Sequence, residues 1–366
     1  MHPIIKPGLR RAWRDRQTVQ YGVAPAHAVQ LGPVDNATAS FMELIDGTRS
    51  LPQLRTEAAA MGLSADAADR IVARLGEAGV LDDATADREA AAAVPDRLRP
   101  DLSSLSVVHR EPGAGLRRLA ARREASVRVR GAGRVGSLVA STLSAAGVGQ
   151  VDVVDGGHVE AWDAVPGGIP ADASGERRDA AARKAVRRAA CWRPRTRGAV
   201  ALVVLAPRDG LDAYAPDPCS AEGLVEAGTP HLYGGVVEGT GVVGPLVLPG
   251  RSPCGGCILW SRAEREPSWP LVVGQWRTAS RRRAGVPACD VALATMVAGA
   301  LASYALSFLD GDGGCAAGYR LRFALPHLLA ETEQLRPHPD CSCGAASVSA
   351  SRPLSAGSPE EATMAR

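Results

Sequence analysis

Ser126-Val-Arg-Val-Arg130 runs straight into Gly131-Ala-Gly133-Arg-Val-Gly136, and this stretch decides the fold. Alternating valines predict a short strand, and the glycines open a helix running to about Ala146. Strand, G-x-G-x-x-G turn and helix is the order of a dinucleotide-type unit. Gly131 allows the tight turn, Gly133 lets backbone approach a phosphate, and Gly136 lets helix and strand pack closely. A second strand, Gln150-Val-Asp-Val-Val-Asp155, ends on a carboxylate 19 residues after Gly136, where it can hold ribose hydroxyls. The predicted core is therefore α/β and Rossmann-like. Whether its loop still binds a nucleotide is a separate question.

Four cysteines sit in two tight pairs, Cys254-Gly-Gly-Cys257 and Cys341-Ser-Cys343. Zinc takes four tetrahedral ligands, and paired thiolates supply them with no position left for water. The spacing predicts a structural zinc, with His338 or His327 as an alternative fourth ligand. Cys191, Cys219 and Cys315 lack partners at ligand spacing and read as structural. Cys289 precedes an apolar helix, Val291–Leu309, but has no histidine base beside it and also reads as structural.

The chain has 366 residues, 46% hydrophobic and 22% charged, the composition of a soluble globular protein with two domains. Its net charge of +3 is too small to call for a polyanion, and no nucleic acid is expected. No signal core is read at the N-terminus, and no uncharged apolar run is read as approaching 18 residues. The expectation is a cytoplasmic chain without a membrane partner, its eight cysteines reduced.

Residues 18–32 read as two short strands around Pro25. Three helices follow. Asp35 caps one carrying Phe41, Leu44 and Ile45, Ser50 a second over Leu51–Met61, and Ser64 a third carrying Ile71, Val72 and Leu75; Gly47, Gly62 and Gly79 stop them. This is a winged-helix plan, yet Tyr21–Ala90 holds eleven acidic residues against five arginines. A net charge of −6 repels a phosphate backbone, so DNA binding is disfavoured. A small sheet with a free edge beside a helix can instead accept an extended peptide as an added strand. The expected peptide contacts are Val29, Leu31 and Val34 on an edge strand within Ala26–Val34, with Ile71, Arg74 and Leu75 on the neighbouring helix.

Gly147-Val-Gly149-Gln-Val-Asp-Val-Val-Asp155, Pro253-Cys-Gly-Gly-Cys257 and the Cys341/Cys343 pair together resemble the E1-like ThiF/MoeB superfamily over about residues 105–345. In that superfamily ATP adenylates the C-terminal glycine of a ubiquitin-like protein. The chain departs from its active members at three places. After the first acid, active members carry a second acid and then an asparagine and an arginine for the triphosphate; here Asp155 is followed by Gly156-Gly-His-Val-Glu-Ala-Trp-Asp163-Ala-Val-Pro-Gly-Gly168, with no asparagine or arginine. Gly175-Glu-Arg-Arg178 has no lysine. Ala206-Pro-Arg208-Asp209 stands where a magnesium-binding aspartate belongs. Phosphoryl chemistry depends on positioned cations and carboxylates, so their joint loss removes ATP use by this chain and leaves the loop vestigial.

One branch accommodates these departures. The sequence is similar to the ThiF-like leader-peptide-binding proteins (ocin-ThiF or F-protein-like) of azole-forming peptide pathways, through Gly131–Gly136, Gly241-Val-Val-Gly-Pro-Leu-Val-Leu-Pro-Gly250, Glu266-Pro-Ser-Trp-Pro270 and His338-Pro-Asp-Cys-Ser-Cys343. The resemblance implies a PqqD-like recognition domain over residues 1–90, a linker and support helix over 91–125, and a degenerate E1-like domain over 126–344. A disordered tail over 345–366 is read from composition. It also implies a role: a non-catalytic adaptor presents a precursor's leader to a YcaO cyclodehydratase, which uses ATP to form azolines. A homodimer is compatible with this reading. The rivals are an active adenylyltransferase acting on a sulfur-carrier-like protein, a nicotinamide oxidoreductase and a transcription factor.

Smaller features have plainer readings. The basic stretch Glu176–Arg197 is read as a solvated face, Trp269 and Trp276 as core or interface anchors, and His158 and His231 as hydrogen bonders.

Overall fold

The computed structural model describes residues 1–85, 92–193, 198–282, 285–312 and 317–347. Cys315, most of the expected tail and the start of the expected linker lie outside them. The chain divides into two compact units.

The first unit comprises Met1–Glu124 with Ala145–Gly147 and Cys191–Arg193. Strand β1 (Pro3–Ile5) pairs antiparallel with β5 (Leu81–Asp83), while β2 (Arg11–Trp13), β3 (Val19–Tyr21) and β4 (Val29–Leu31) form a three-stranded sheet in that order. Strand β2 is an addition to the two strands expected; all three of its residues are exposed, so it lacks the alternation that marks a half-buried strand. Helix α1 (Asn36–Glu43) starts as expected, Asp35 accepting from the Thr38 amide at 2.7 Å. Helix α2 (Leu51–Ala60) has Ser50 in a capping box with Gln53. Helix α3 (Ala67–Glu77) begins later than expected: Asp66 takes the cap position, and the Ser64 hydroxyl donates to Asp66 at 2.9 Å.

Alternate residues of the sheet, Val19, Tyr21 and Leu31, meet Phe41, Leu54 and Leu75 from the helices in one core. Complete burial of a side chain such as Phe41 or Leu54 contributes about 1.5–3 kcal/mol each. The segment expected as linker folds into α4 (Arg99–Val108) and α5 (Ala114–Glu124), packed through Leu98, Leu105 and Leu119. Lys6 is almost fully buried, and its ammonium donates to the His109 and Arg110 carbonyls beyond the C-terminus of α4.

The second unit is α/β, built on a mixed seven-stranded sheet. Its strands are β6 (Ser126–Arg130), β7 (Gln150–Val154), β8 (Leu202–Leu205), β9 (His231–Val237), β10 (Thr240–Val247), β11 (Tyr319–Ala324) and β12 (Ala330–Gln334). They lie in the order β12-β11-β10-β9-β8-β6-β7. Strands β7, β6, β8 and β9 are parallel, and β9 to β12 continue antiparallel. The helices are α6 (Arg134–Ala145), α7 (Arg178–Ala189), the single turn α8 (Leu211–Tyr214), α9 (Pro218–Glu226), α10 (Gly255–Arg265), α11 (Trp269–Arg282) and α12 (Val291–Leu309).

Helix α12 corrects one expectation. It is an uncharged run of 19 residues with mean hydropathy 1.7, long and apolar enough by composition to cross a bilayer. Here it buries Leu293, Val297, Leu301 and Ala305 in the same core as Leu232, Val236, Val243 and Leu246 of the sheet. A core helix meets the same compositional test.

Candidate functional site

The glycine loop joins β6 to α6 as the sequence predicts. A Cβ at Gly131 (φ +106°) would lie 1.9 Å from the Ala206 carbonyl oxygen, and one at Gly136 would lie 2.1 Å from that of Gly131. Both positions exclude any side chain, because those oxygens belong to adjoining backbone. Asp155 sits just past β7, facing this loop.

Its carboxylate is fully engaged by the chain itself. One oxygen accepts from the Ala132 amide at 2.8 Å, and the other accepts from the Gly157 amide at 2.8 Å and Arg178 Nε at 2.9 Å. Arg208 behaves similarly. It ion-pairs with Glu160 and, at 2.6 Å, with the buried Asp163, and its side chain lies 3.0 Å from where a Cβ on Gly133 would be. Arg134 donates to the Trp162 and Cys289 carbonyls, both at 2.7 Å.

The cavity left beside Gly133 and Gly136 is about 50 Å³. Small-molecule sites start at roughly 300 Å³. Asp209, at the end of the segment that stands where a magnesium-binding aspartate is expected, accepts from the Leu211 amide at 3.2 Å as a local turn cap. Cys289 borders this cavity, and burial pushes its thiol up to about 11, away from the thiolate form. Sequence reasoning noted Arg178 and Arg208 as departures but assigned them no role. The available signal was a guanidinium at two phosphate-side positions together with the Glu160/Asp163 pair.

The cysteines behave differently. Cys254 stands at the N-cap of α10 and Cys257 in its first turn, while Cys341 and Cys343 come from the segment after β12. Their four sulfurs all lie within 4.8 Å of one another. The Cys254–Cys257, Cys254–Cys341 and Cys257–Cys343 separations are 3.9, 3.6 and 3.5 Å. A tetrahedron with metal–sulfur bonds of about 2.3 Å has edges of about 3.8 Å, so the set is compatible with a structural zinc. The Cys254 sulfur and burial push Cys257 upward as a thiol, and burial pushes Cys341 up to about 11. A cation would reverse both by holding thiolates.

The thiol set is complete without the alternative histidines. His338 is buried against Trp260, ring centroids 5.7 Å apart, with Nε2 3.0 Å from Glu264 and Nδ1 accepting from the Asp340 amide at 3.2 Å. His327 is exposed and outside the cluster.

The residues expected to meet a peptide occupy one region of the first unit. In the three-stranded sheet, β4 is an edge strand. Leu31, Val34 and Leu75 are buried in the core, Val29 and Ile71 are half-buried at its margin, and Arg74 is exposed. The Arg74 guanidinium donates to the Gly32 carbonyl, tying α3 to the end of β4. The surface open to a ligand there is thus the β4 edge with Val29, Ile71 and Arg74. His231 is fully buried, its Nδ1 3.0 Å from the Thr229 carbonyl, and burial lowers its pKa.

A sequence profile of the ThiF family matches residues 110–345. No curated protein matches the chain in sequence. In structure the chain is similar to E. coli MccB with succinimide, with a TM-score of 0.68 and 14% identity, over 93% of this chain and 98% of that one. It is similar to the microcin C7 biosynthetic enzyme MccB in complex with N-formylated MccA, with a TM-score of 0.68 and 13% identity, over 93% and 99%. It also resembles the heterocyclase TruD, with a TM-score of 0.59 and 18% identity, over 94% of this chain but 43% of that one. At these identities the likeness is one of fold.

Proposed function

The chain belongs to the ThiF family, and we propose that it is a non-catalytic adaptor in the maturation of ribosomally made peptides. In this reading the first unit is PqqD-like and holds a precursor's leader against the edge of β4 beside α3. The second unit is a degenerate E1-like body that brings the bound precursor to a separate YcaO cyclodehydratase, where azolines form. The work takes place in the cytoplasm, and a homodimer is compatible with it.

The observation that carries the reading is the closed crevice. Arg178 pairs with Asp155, and Arg208 with Asp163 and Glu160, beside a cavity of only about 50 Å³, which supports a loop that no longer holds a nucleotide. Two fold neighbours support a peptide-processing setting: MccB has been solved with MccA, and TruD is a heterocyclase. We further propose that Cys254, Cys257, Cys341 and Cys343 hold zinc as a closed structural site. The metal would supply cross-linking and no chemistry, since no ligand position is left for water.

In the leader site, β4 offers its free N–H and C=O groups for main-chain pairing, which gives affinity without demanding sequence. Val29 and Ile71 supply apolar contact, and Arg74 limits which acidic or polar side chains fit. The test is fluorescence anisotropy of the full chain with leader peptides encoded beside its gene. Micromolar or tighter binding is expected; no binding to any of them rejects the adaptor.

An active adenylyltransferase is the second reading, favoured by one finding: the same fold occurs in MccB solved with ATP. It requires ATP–pyrophosphate exchange by this chain, abolished in Asp155→Ala.

A further inference from the structure

The second unit contains a cavity of about 250 Å³ between α10, α11 and the segment ending β12, with no residue of the glycine loop in its lining. Its apolar lining includes Tyr214, Leu259, Trp269 and Val273. Four guanidinium groups face it, from Arg262, Arg265, Arg320 and Arg336, against the single carboxylate of Glu333.

That carboxylate is taken. Arg320 is buried and bonds Glu333 through Nε and Nη2 at 3.0 and 2.6 Å, while its Nη1 donates to the Tyr214 carbonyl at 2.7 Å. Arg262 lies 4.3 Å over the Trp269 ring and reaches Glu266 only at 3.5 Å. Arg265 and Arg336 are exposed, and among the described residues neither has a carboxylate within ion-pair distance. Apolar surface continues outward through Trp276, which meets Trp269 edge-on at 5.6 Å, and Leu271 is exposed on the same helix.

We propose that this pocket docks an acidic segment of a partner protein that inserts one large apolar side chain. The volume lies below that of small-molecule sites and suits the single anchor around which protein interfaces concentrate their affinity. Tryptophan, tyrosine and arginine are the residues enriched at such anchors. The guanidinium groups of Arg265 and Arg336, which make no ion pair among the described residues although Arg265 also bonds the Ser261 carbonyl at 3.1 Å, complement flanking carboxylates and favour an acidic partner over a basic one. The inference rests on the adaptor reading only in assuming that a protein partner exists.

The test uses the full chain and fluorescein-labelled hexapeptides. The probe is Asp-Glu-Leu-Phe-Glu-Asp, with controls in which Lys replaces the acids or Gly-Gly replaces Leu-Phe. Anisotropy is expected to show saturable binding of the probe alone. The Arg265→Glu/Arg336→Glu double variant changes two exposed side chains and should weaken binding by at least about tenfold, as like charges replace complementary ones. A probe that fails to bind, a control that binds equally, or a double variant with unchanged affinity overturns the proposal. Leader binding measured on the same samples reports separately on the adaptor reading, and the double variant should leave it unchanged.

Discussion

The glycine crevice and the thiol cluster lie in the same unit and treat their polar groups in opposite ways. In the crevice, Asp155 and Asp163 are hydrogen-bonded and ion-paired by the chain's own amides and arginines. In the cluster, two buried and two half-buried thiols face mainly one another at 3.5–3.9 Å. A buried polar group that already has its partners gains little from a ligand, whereas a group without them does. A motif therefore says where a ligand once fitted, and the hydrogen-bond accounting says whether it still does.

The largest test of that contrast is at the cluster. Cys257→Ser should lower bound metal from about one atom per chain to none, cost about 4 kcal/mol or more, and drop Tm by about 8–16 °C. Elemental analysis and calorimetry read both, and a wild-type protein free of metal after purification in zinc-containing buffer would remove the contrast. Next comes Arg208→Met, which leaves Asp163 buried without its closest cation. About 2 kcal/mol of stability should be lost, read as a lower urea midpoint, with leader binding unchanged. An unaltered midpoint would mean that the arginine is not a structural plug.

A smaller effect is expected in the first unit. Ile71→Ala should weaken leader binding about fivefold, or about 1 kcal/mol, because one half-buried contact is trimmed while main-chain pairing remains. Unchanged affinity would move the leader away from α3. The smallest effect belongs to Mg·ATP, which at millimolar concentration should raise Tm by less than about 1 °C. A clear upward shift would reopen the crevice.

Local features were legible where chemistry and spacing act within a few residues. The glycine turn, the Asp35 and Ser50 caps and the pairing of cysteines all fall in this class. What escaped depends on side chains arriving from elsewhere. Arg178 reaches Asp155 across 23 residues and Arg208 reaches Asp163 across 45, so the sequence showed missing phosphate contacts but not their internal replacements. Strand β2 escaped because Arg11-Ala-Trp13 is solvent-facing throughout, leaving no burial pattern to read. The apolar helix Val291–Leu309 was legible with its observed bounds, but its 19 uncharged residues contradict the expectation that no such run approaches 18, because alanine, serine and threonine dilute its larger residues. In the candidate peptide groove the residue types were apparent, yet only the fold separates Leu31, Val34 and Leu75 in the core from Val29, Ile71 and Arg74 at the surface.

The placement of the cysteines also shapes how the sheet can open. A metal joining Cys254 and Cys257 to Cys341 and Cys343 closes a loop that contains α10, α11, α12, β11 and β12. Cross-linking a loop of roughly 90 residues lowers the entropy of the disordered chain by an amount equivalent to about 4.6 kcal/mol in the chain-entropy description. The antiparallel margin of the sheet, otherwise the portion most prone to fraying, would then exchange its amide hydrogens at rates close to those of the central parallel strands.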